Sequence, residues 1–533
     1  MFAAQHISYS ETTAFSSIVL DYLQGVKDLQ PYYIASPDLS SIKKLIEQKG
    51  HQKVDRDALV AVLQKQYNTV DEIGNVEASI GALRSSNTFT VCTAHQPNLF
   101  TGPLYFFYKI IHVIKLADAL KRELPDYNFV PVYYMGSEDA DLAELNHFTI
   151  EGKKYEWQTS QTGAVGRMKV DSALINILNE LQGQLETFPH GREWVSLLKK
   201  YFTIGVLIQD ATFHLVHDLF SSFGLVVLIA DDPMLKNSMQ PVFEQDLFEH
   251  TPSAIVSETS KKLNQQYEAQ AYPRDINLFY LKDEIRERIE RNGDNFRVCN
   301  TSLQFTEEEI RKELKNHPER FSPNVILRGL YQETILPNVI FVGGGGEVAY
   351  WLQLKNLFDH FNVQFPILVL RNSFLIVERK WAAKIDKLGL TYLDIFQPAD
   401  DILKKIIERD STQQLTLNGK LEEALALYES IGKQASSVDA SLSQHVKALQ
   451  VQAIQKLQNL EKKMLRAEKR KFTDAQRQIV KIKEGLFPKN GLQERTENIG
   501  YYYSKWGRSF IKMLYDHSLS LEQQFTILKE ETA

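Results

Sequence analysis

The sequence predicts an α/β protein built on a mainly parallel sheet, with a long helical hairpin in its last third. Two patterns carry that prediction. Short apolar runs at 88–93, 129–135, 225–229, 277–281, 339–342 and 367–370 alternate with helical stretches, which is the signature of a parallel sheet. From about Asp400 the strands stop, and Val446, Leu449, Ala453, Leu457, Leu460, Met464, Ala467, Lys471, Ala475, Ile479 and Ile482 step by threes and fours. At 533 residues the chain is longer than one core supports, so it folds as two or more units.

Residues 1 to about 85 read as helical, with Ile18, Leu20, Tyr22 and Leu23, then Leu59, Val62 and Leu63, at helical spacing. A strand at Thr88–Thr93, a Gly-containing loop and a helix over Leu104–Leu120 open the α/β series. The strands that follow end in GSEDAD, ADDP, GGGGE and RNS, as the first ends in AHQPN. In open α/β sheets ligands sit beyond the strand C-termini, so these loops mark the expected site, although each is also ordinary turn chemistry. The Val446–Ile482 stripe reads as one helix, with Leu421–Ile431 as its antiparallel partner and Gly485 with Pro488 as its end. Its mean step near 3.6 describes a packed helix with a drifting seam, and a second copy of the hairpin is expected to cover it.

Composition narrows the function. With 43% hydrophobic and 24% charged residues the chain is an ordinary globular one. No run of apolar residues is long enough to span a bilayer, and the N-terminus lacks a basic-then-apolar leader, so a cytoplasmic protein is expected. Cys92 and Cys299 are the only cysteines, which excludes a disulfide framework and a four-cysteine zinc site. A net charge of −6 argues against nucleic acid as a partner. The stretch Glu461–Lys483 nevertheless holds nine Lys/Arg against three acids, either a solvated helix face or a phosphate site where the hairpin meets the core.

Three motifs carry chemistry. In AHQPNLFTGPLYFFYK, His95 suits proton movement or charge stabilisation near neutral pH, Gly102 permits close approach, and the helix N-terminus offers N–H groups to an anion. Lys109 either returns toward this pocket or snorkels to solvent. SEDADLAELNH places Asp139, Asp141 and Glu144 after a strand, a pattern that fits either Mg²⁺ bridged by a nucleotide or helix capping from Ser137. GGGGEVAYW lacks the GxGxxG spacing of NAD sites, and the chain has no GxxxxGK[ST] loop, yet four glycines let a phosphate or carboxylate lie on the backbone.

Together AHQPNLFTGPLYFFYK, SEDADLAELNH, YEAQAYPRDINLFYL, FSPNVILRGLYQETILPN, GGGGEVAYWLQLKNLFDHF and LFPKNGLQER resemble, in order from about Asn87 to Tyr502, the bacillithiol biosynthesis cysteine-adding enzymes. The resemblance implies a Rossmann-like core with inserted connecting segments, an α-helical coiled-coil domain that dimerises, and a cysteine ligase that joins cysteine to glucosaminyl malate. It divides the chain into a core at 1–395, with N-terminal helices and insertions at about 150–325, a coiled-coil hairpin at 396–485, and a segment at 486–533 that packs back on the core. The family's core is similar to class I aminoacyl-tRNA synthetases, but here His95, Gln96, Pro97 and Asn98 stand at the HxGH-type loop without its second histidine, and no KMSKS-like segment is present. What carries over is the location of the site.

Amide formation from a free carboxylate calls for an activated acyl group, so a nucleotide (ATP or ADP), with Mg²⁺ accompanying it, is an expected ligand. The site also needs anion stabilisers and a base. The catalytic candidates are His95, Gln96, Asp139, Asp141 and His147, with Asp139, Asp141 and His147 as alternative bases or ammonium anchors. The substrate-binding candidates are Asn98, Gly102, Tyr105, Lys109, Ser137, Glu138, Asn146, Arg274, Asn277, Arg328, Gln332, Glu333, Gly344, Gly345, Gly346, Glu347 and Tyr350. Among them Arg274 and Arg328 suit carboxylate clamping by their planar forks, or structural ion pairs. No metal ligand set is assigned. Two rival readings are an enzyme that activates another amino or carboxylic acid and a non-catalytic scaffold built on the hairpin.

Overall fold

A computed structural model describes residues 2–49, 54–138, 141–411 and 417–531; Asp139 lies outside them. Eight strands frame the site: β1 (Phe2–Ile7), β2 (Thr88–His95), β3 (Asn128–Met135), β4 (Val226–Ile229), β5 (Asn338–Gly343), β6 (Ile367–Leu370), β7 (Phe374–Val377) and β8 (Phe525–Glu530). The order β6-β5-β2-β3-β4 makes a five-stranded sheet in which every pairing is parallel. Central β2 is buried from Thr88 to Thr93, as expected of a strand covered on both faces. Its threonines are accommodated by cross-strand bonds: Thr90 Oγ1 donates to Asn338 Oδ1 at 3.1 Å, and Thr93 Oγ1 donates to the Val342 carbonyl at 2.7 Å. Helix α1 (Tyr105–Glu123) packs on β2 and β3 through a face that includes Phe106, Phe107, Ile110 and Ile114.

The strand expected near Asn277 does not join this sheet. Leu278–Lys282 turns through Asp283 and Glu284 directly into Ile285–Asn292 and pairs antiparallel with it. A two-residue connection makes a hairpin and is far too short for a parallel crossover. The pair belongs to a separate five-stranded antiparallel sheet, carried between β4 and β5.

The first 85 residues are not wholly helical, and strands return after Asp400. β1 pairs antiparallel with β8, and β8 pairs parallel with β7. β1 carries only one fully buried residue, so an edge strand of this kind leaves little hydrophobic pattern to read.

Helices α2 (Asn418–Val438) and α3 (Leu442–Lys469) form the hairpin, and α4 (Thr473–Leu486) follows. The single helix expected over Val446–Ile482 is therefore two, separated by a 3₁₀ turn at Arg470–Phe472. The break separates two packing environments. Leu449 and Leu460 on α3 are exposed, whereas Ile479, Ile482 and Leu486 on α4 are buried in the core. Gly485, read from sequence as a terminator, lies inside α4. A Cβ there would stand 2.1 Å from the Trp381 ring, so glycine is required for the helix to touch the core. Among the described residues no helix is long and apolar enough to cross a membrane.

Gly485→Ala should destabilise the protein by about 1–3 kcal/mol through overpacking, despite alanine's better helix propensity. Urea unfolding checks this: an unchanged midpoint would show that Trp381 is not held against α4.

Candidate active site

A cavity of about 410 Å³ opens at the C-terminal ends of β2, β3, β5 and β6. β2 delivers His95 and Gln96, β3 is followed by Gly136, β5 by Gly344, Gly345, Gly346 and Glu347, and β6 by Arg371. α1 adds Tyr105 and Lys109, the helix Val325–Ile335 adds Arg328, and Tyr350 and Arg495 complete the wall. A smaller hollow of about 210 Å³ shares His95, Gln96, Tyr105 and Arg495 and brings in Asn98, Glu144 and His147.

The loop after β2 is strained. Phe100, Thr101 and Gly102 have φ of 46°, 73° and 64°, and a β-branched residue pays heavily in this region. A Cβ on Gly102 would lie 2.7 Å from the Asn98 Cβ. Gly102 thus serves the backbone turn, and it lines neither hollow. The conformation is held from a distance: Asn498 Nδ2 donates to the carbonyls of Phe100 and Gly102 at 3.0 and 2.6 Å. At the α1 N-terminus two N–H groups are already engaged, Leu104 with Glu497 O and Phe106 with Pro103 O.

Side-chain cations supply positive potential. Lys109, 2% exposed, bonds the Ala94 carbonyl at 2.8 Å and pairs with Glu347 at 2.5 Å. Burial lowers its pKa, and Glu347 opposes that shift. Glu347 also accepts the Gly344 N–H at 2.8 Å, the one half of a capping box that a glycine N-cap allows. Arg371 is buried against Glu494 at 2.7 Å, and this carboxylate keeps its guanidinium pKa up although burial works against the charge. His95 is driven the other way: burial, then Lys109, Arg371 and Arg328, push its pKa well below 6.5, so the imidazole is neutral. Its Nε2 is buried and has no hydrogen-bond partner. Tyr105 packs edge-on against His95, and its hydroxyl is pushed up to about 12 by burial and Glu347.

The sequence profile "Bacillithiol biosynthesis BshC, N-terminal Rossmann-like domain" matches residues 2–372, and "Bacillithiol biosynthesis BshC, C-terminal coiled-coil domain" matches residues 374–530. The chain belongs to the bacillithiol biosynthesis BshC family. Relatives named "Putative cysteine ligase BshC" are 39% identical in Flavobacterium johnsoniae (98% of this chain, 99% of the relative), 40% in Christiangramia forsetii (98% of each) and 28% in Natranaerobius thermophilus (94% and 95%). The α/β core is thus Rossmann-like, the helical part is the family's coiled-coil domain, and the role is in bacillithiol biosynthesis.

The other candidates of this BshC-family chain lie apart from the main cavity. Ser137 and Glu138 are buried behind it, where Lys236 bridges Glu138 at 2.6 Å and Asp231 at 2.9 Å. Asp141 caps the short helix Leu142–Leu145 by accepting the Ala143 N–H at 3.0 Å, and Asn146 donates to the Trp157 carbonyl. Arg274 is exposed, and neighbouring Asn277 is buried against Asp246, so neither lines the cavity. Gln332 and Asn338 both donate to Glu333 in the core, which makes these polar groups part of the packing under β5. Among the described residues no group of three or more His, Cys, Asp or Glu is placed to hold a metal. Reasoning from sequence missed Arg371 and Arg495 as site residues, although the RNS and LQER segments that contain them were visible.

Glu497 is a further residue without a sequence signal. Its carboxylate accepts the N–H groups of Glu151 and Gly152, yet burial raises its pKa from 4.5 to about 7. The folded state holds this proton more tightly than the unfolded chain, so the stability it contributes is full below the unfolded value and is lost as pH rises through about 7. Glu497→Gln keeps an acceptor but never ionises. It should gain in melting temperature over wild type at about pH 8 relative to about pH 5. An equal difference at both would mean that Glu497 is ionised throughout.

Proposed function

We propose that this chain is a cysteine ligase that forms an amide bond between the carboxyl of cysteine and the amine of glucosaminyl malate, with the reaction centred on His95. The observation that carries this reading is the charge of the main cavity. Among the described residues Lys109, Arg328, Arg371 and Arg495 line it with the carboxylate of Glu347, which suits a ligand with the two carboxylates of a malyl group.

The C–N bond forms as a carboxyl oxygen leaves, and the incoming ammonium gives up protons. His95, held neutral among cations, is suited to donate a hydrogen bond to the oxyanion that develops at the acyl carbon. Gly344, Gly345 and Gly346 leave room for an anionic activating group against the backbone: a Cβ on Gly346 would meet nothing within 4 Å, and on Gly344 or Gly345 only ordinary contacts from 3.5 Å. A nucleotide with Mg²⁺, if bound there, would supply the phosphoryl or nucleotidyl group with which the carboxyl oxygen departs.

His95→Ala should lower turnover by about 10² to 10³ with little change in melting temperature, and Gln96→Ala should do less. Because His95 is neutral already, lowering the pH through 6.5 should produce no loss of rate on its account. Mass spectrometry of the thiol product measures both, and wild-type output from folded His95→Ala would remove His95 from the chemistry.

A second copy of the chain is the occupant we propose for the hairpin. Leu427, Leu449, Val451 and Leu460 are exposed on α2 and α3, with Leu460 47% exposed, and a matching hairpin would bury them. Leu457→Lys with Leu460→Lys should yield monomers in light scattering; a dimer of the double variant would place the interface elsewhere.

A further inference from the structure

The two hollows that meet at His95 differ in charge. Among the described residues the larger is cationic, with Lys109, Arg328, Arg371 and Arg495 set around Glu347. The smaller is lined by Asn98, Glu144, His147 and Thr149, and its two cations, Lys489 and Arg495, are exposed. Asn98 is 5% exposed, and its Oδ1 has no hydrogen-bond partner. Buried acceptors in native proteins are paired, with protein or with a bound molecule, so this oxygen calls for a donor. An ammonium is such a donor: it brings three N–H groups and no acceptor. The large hollow would repel it, while the small one offers it the Asn98 oxygen and the Glu144 carboxylate.

We infer that the smaller hollow seats the α-amino acid, with its ammonium received by Asn98 Oδ1 and Glu144 and its carboxyl directed to His95, while the larger hollow takes the carboxylates of the acceptor. This rests on the ligase reading and assigns each substrate its own lobe. Four residues line both lobes, His95, Gln96, Tyr105 and Arg495, so the reacting carboxyl and amine meet beside them. Leu145 and Phe148 give the smaller lobe an apolar wall, which suits a thiol side chain.

Calorimetry on the full chain under reducing conditions tests this with L-cysteine, 3-mercaptopropionate, which lacks the amine, and L-malate. Wild type should prefer cysteine to 3-mercaptopropionate by about tenfold or more. Glu144→Gln and Asn98→Ala should each remove most of that preference and leave malate affinity unchanged, whereas Arg328→Gln should weaken malate by about tenfold and keep the preference. Glu144 is exposed on a short helix, so Glu144→Gln tests the idea even if Asn98→Ala unfolds. A preference untouched by Glu144→Gln, or lost in Arg328→Gln, overturns the assignment of lobes and leaves the ligase reading standing. Wild type that binds neither cysteine nor malate overturns both.

Discussion

The grip of Asn498 on the loop after β2 is the contact on which the site depends. Three consecutive residues, Phe100 to Gly102, hold positive φ, and for the two that are not glycine such a conformation persists only when the surroundings over-determine it, at about 1–3 kcal/mol each. Asn498 is buried and spends its amide on two carbonyls of that loop, while its own N–H donates to Thr149 O. Glu497 adds its carbonyl to Leu104 and its carboxylate to the turn at 151–152. Phe100 is in turn packed edge-on against Phe148 and Phe202. One dipeptide therefore fixes both the entry to α1, which carries Lys109, and the turn between the strands His147–Ile150 and Lys153–Glu156 beside the smaller hollow.

The charges are arranged by the same logic of support from behind. Lys109 is anchored by a carbonyl and by Glu347, and Arg371 by Glu494, Ser373 and a backbone carbonyl, so neither cation has to reorganise when an anion arrives. Glu494 and Arg495 are adjacent in sequence and act on opposite sides of this arrangement, the first buried as a counter-ion and the second exposed in the cavity wall. The consequence is a histidine that cannot take up a second proton in their midst, which restricts His95 to the work of a neutral imidazole.

Much of this was readable in the sequence where pattern and partner are local. β2, its loop and α1 were legible because a buried parallel strand is an unbroken apolar run and the helix after it repeats at helical spacing. The glycines at 344–346 line the cavity, as their position beyond a strand end suggested, and of the two readings of Lys109 the structure shows the return to the cavity. Gly102 and Gly485 were visible as glycines but not for the right reason, since backbone sign and a tryptophan from another segment decide their roles. β1 and β8 pair across more than 500 residues, and nothing local announces such a pairing. Arg371 and Arg495 are single arginines in loops, without spacing to set them apart, whereas Arg274 looked equivalent and faces solvent.

The distance between Asn498 and the loop also has a meaning in time. The two are 398 residues apart in the chain, so on a ribosome β2, its loop and α1 emerge long before the residue that locks them. A nascent chain can assemble most of its parallel sheet while its reaction centre stays unformed, and a product that stops short of residue 498 is left without a set loop. The setting of the loop that follows His95 is thus a late event of synthesis, reserved for chains that reach residue 498.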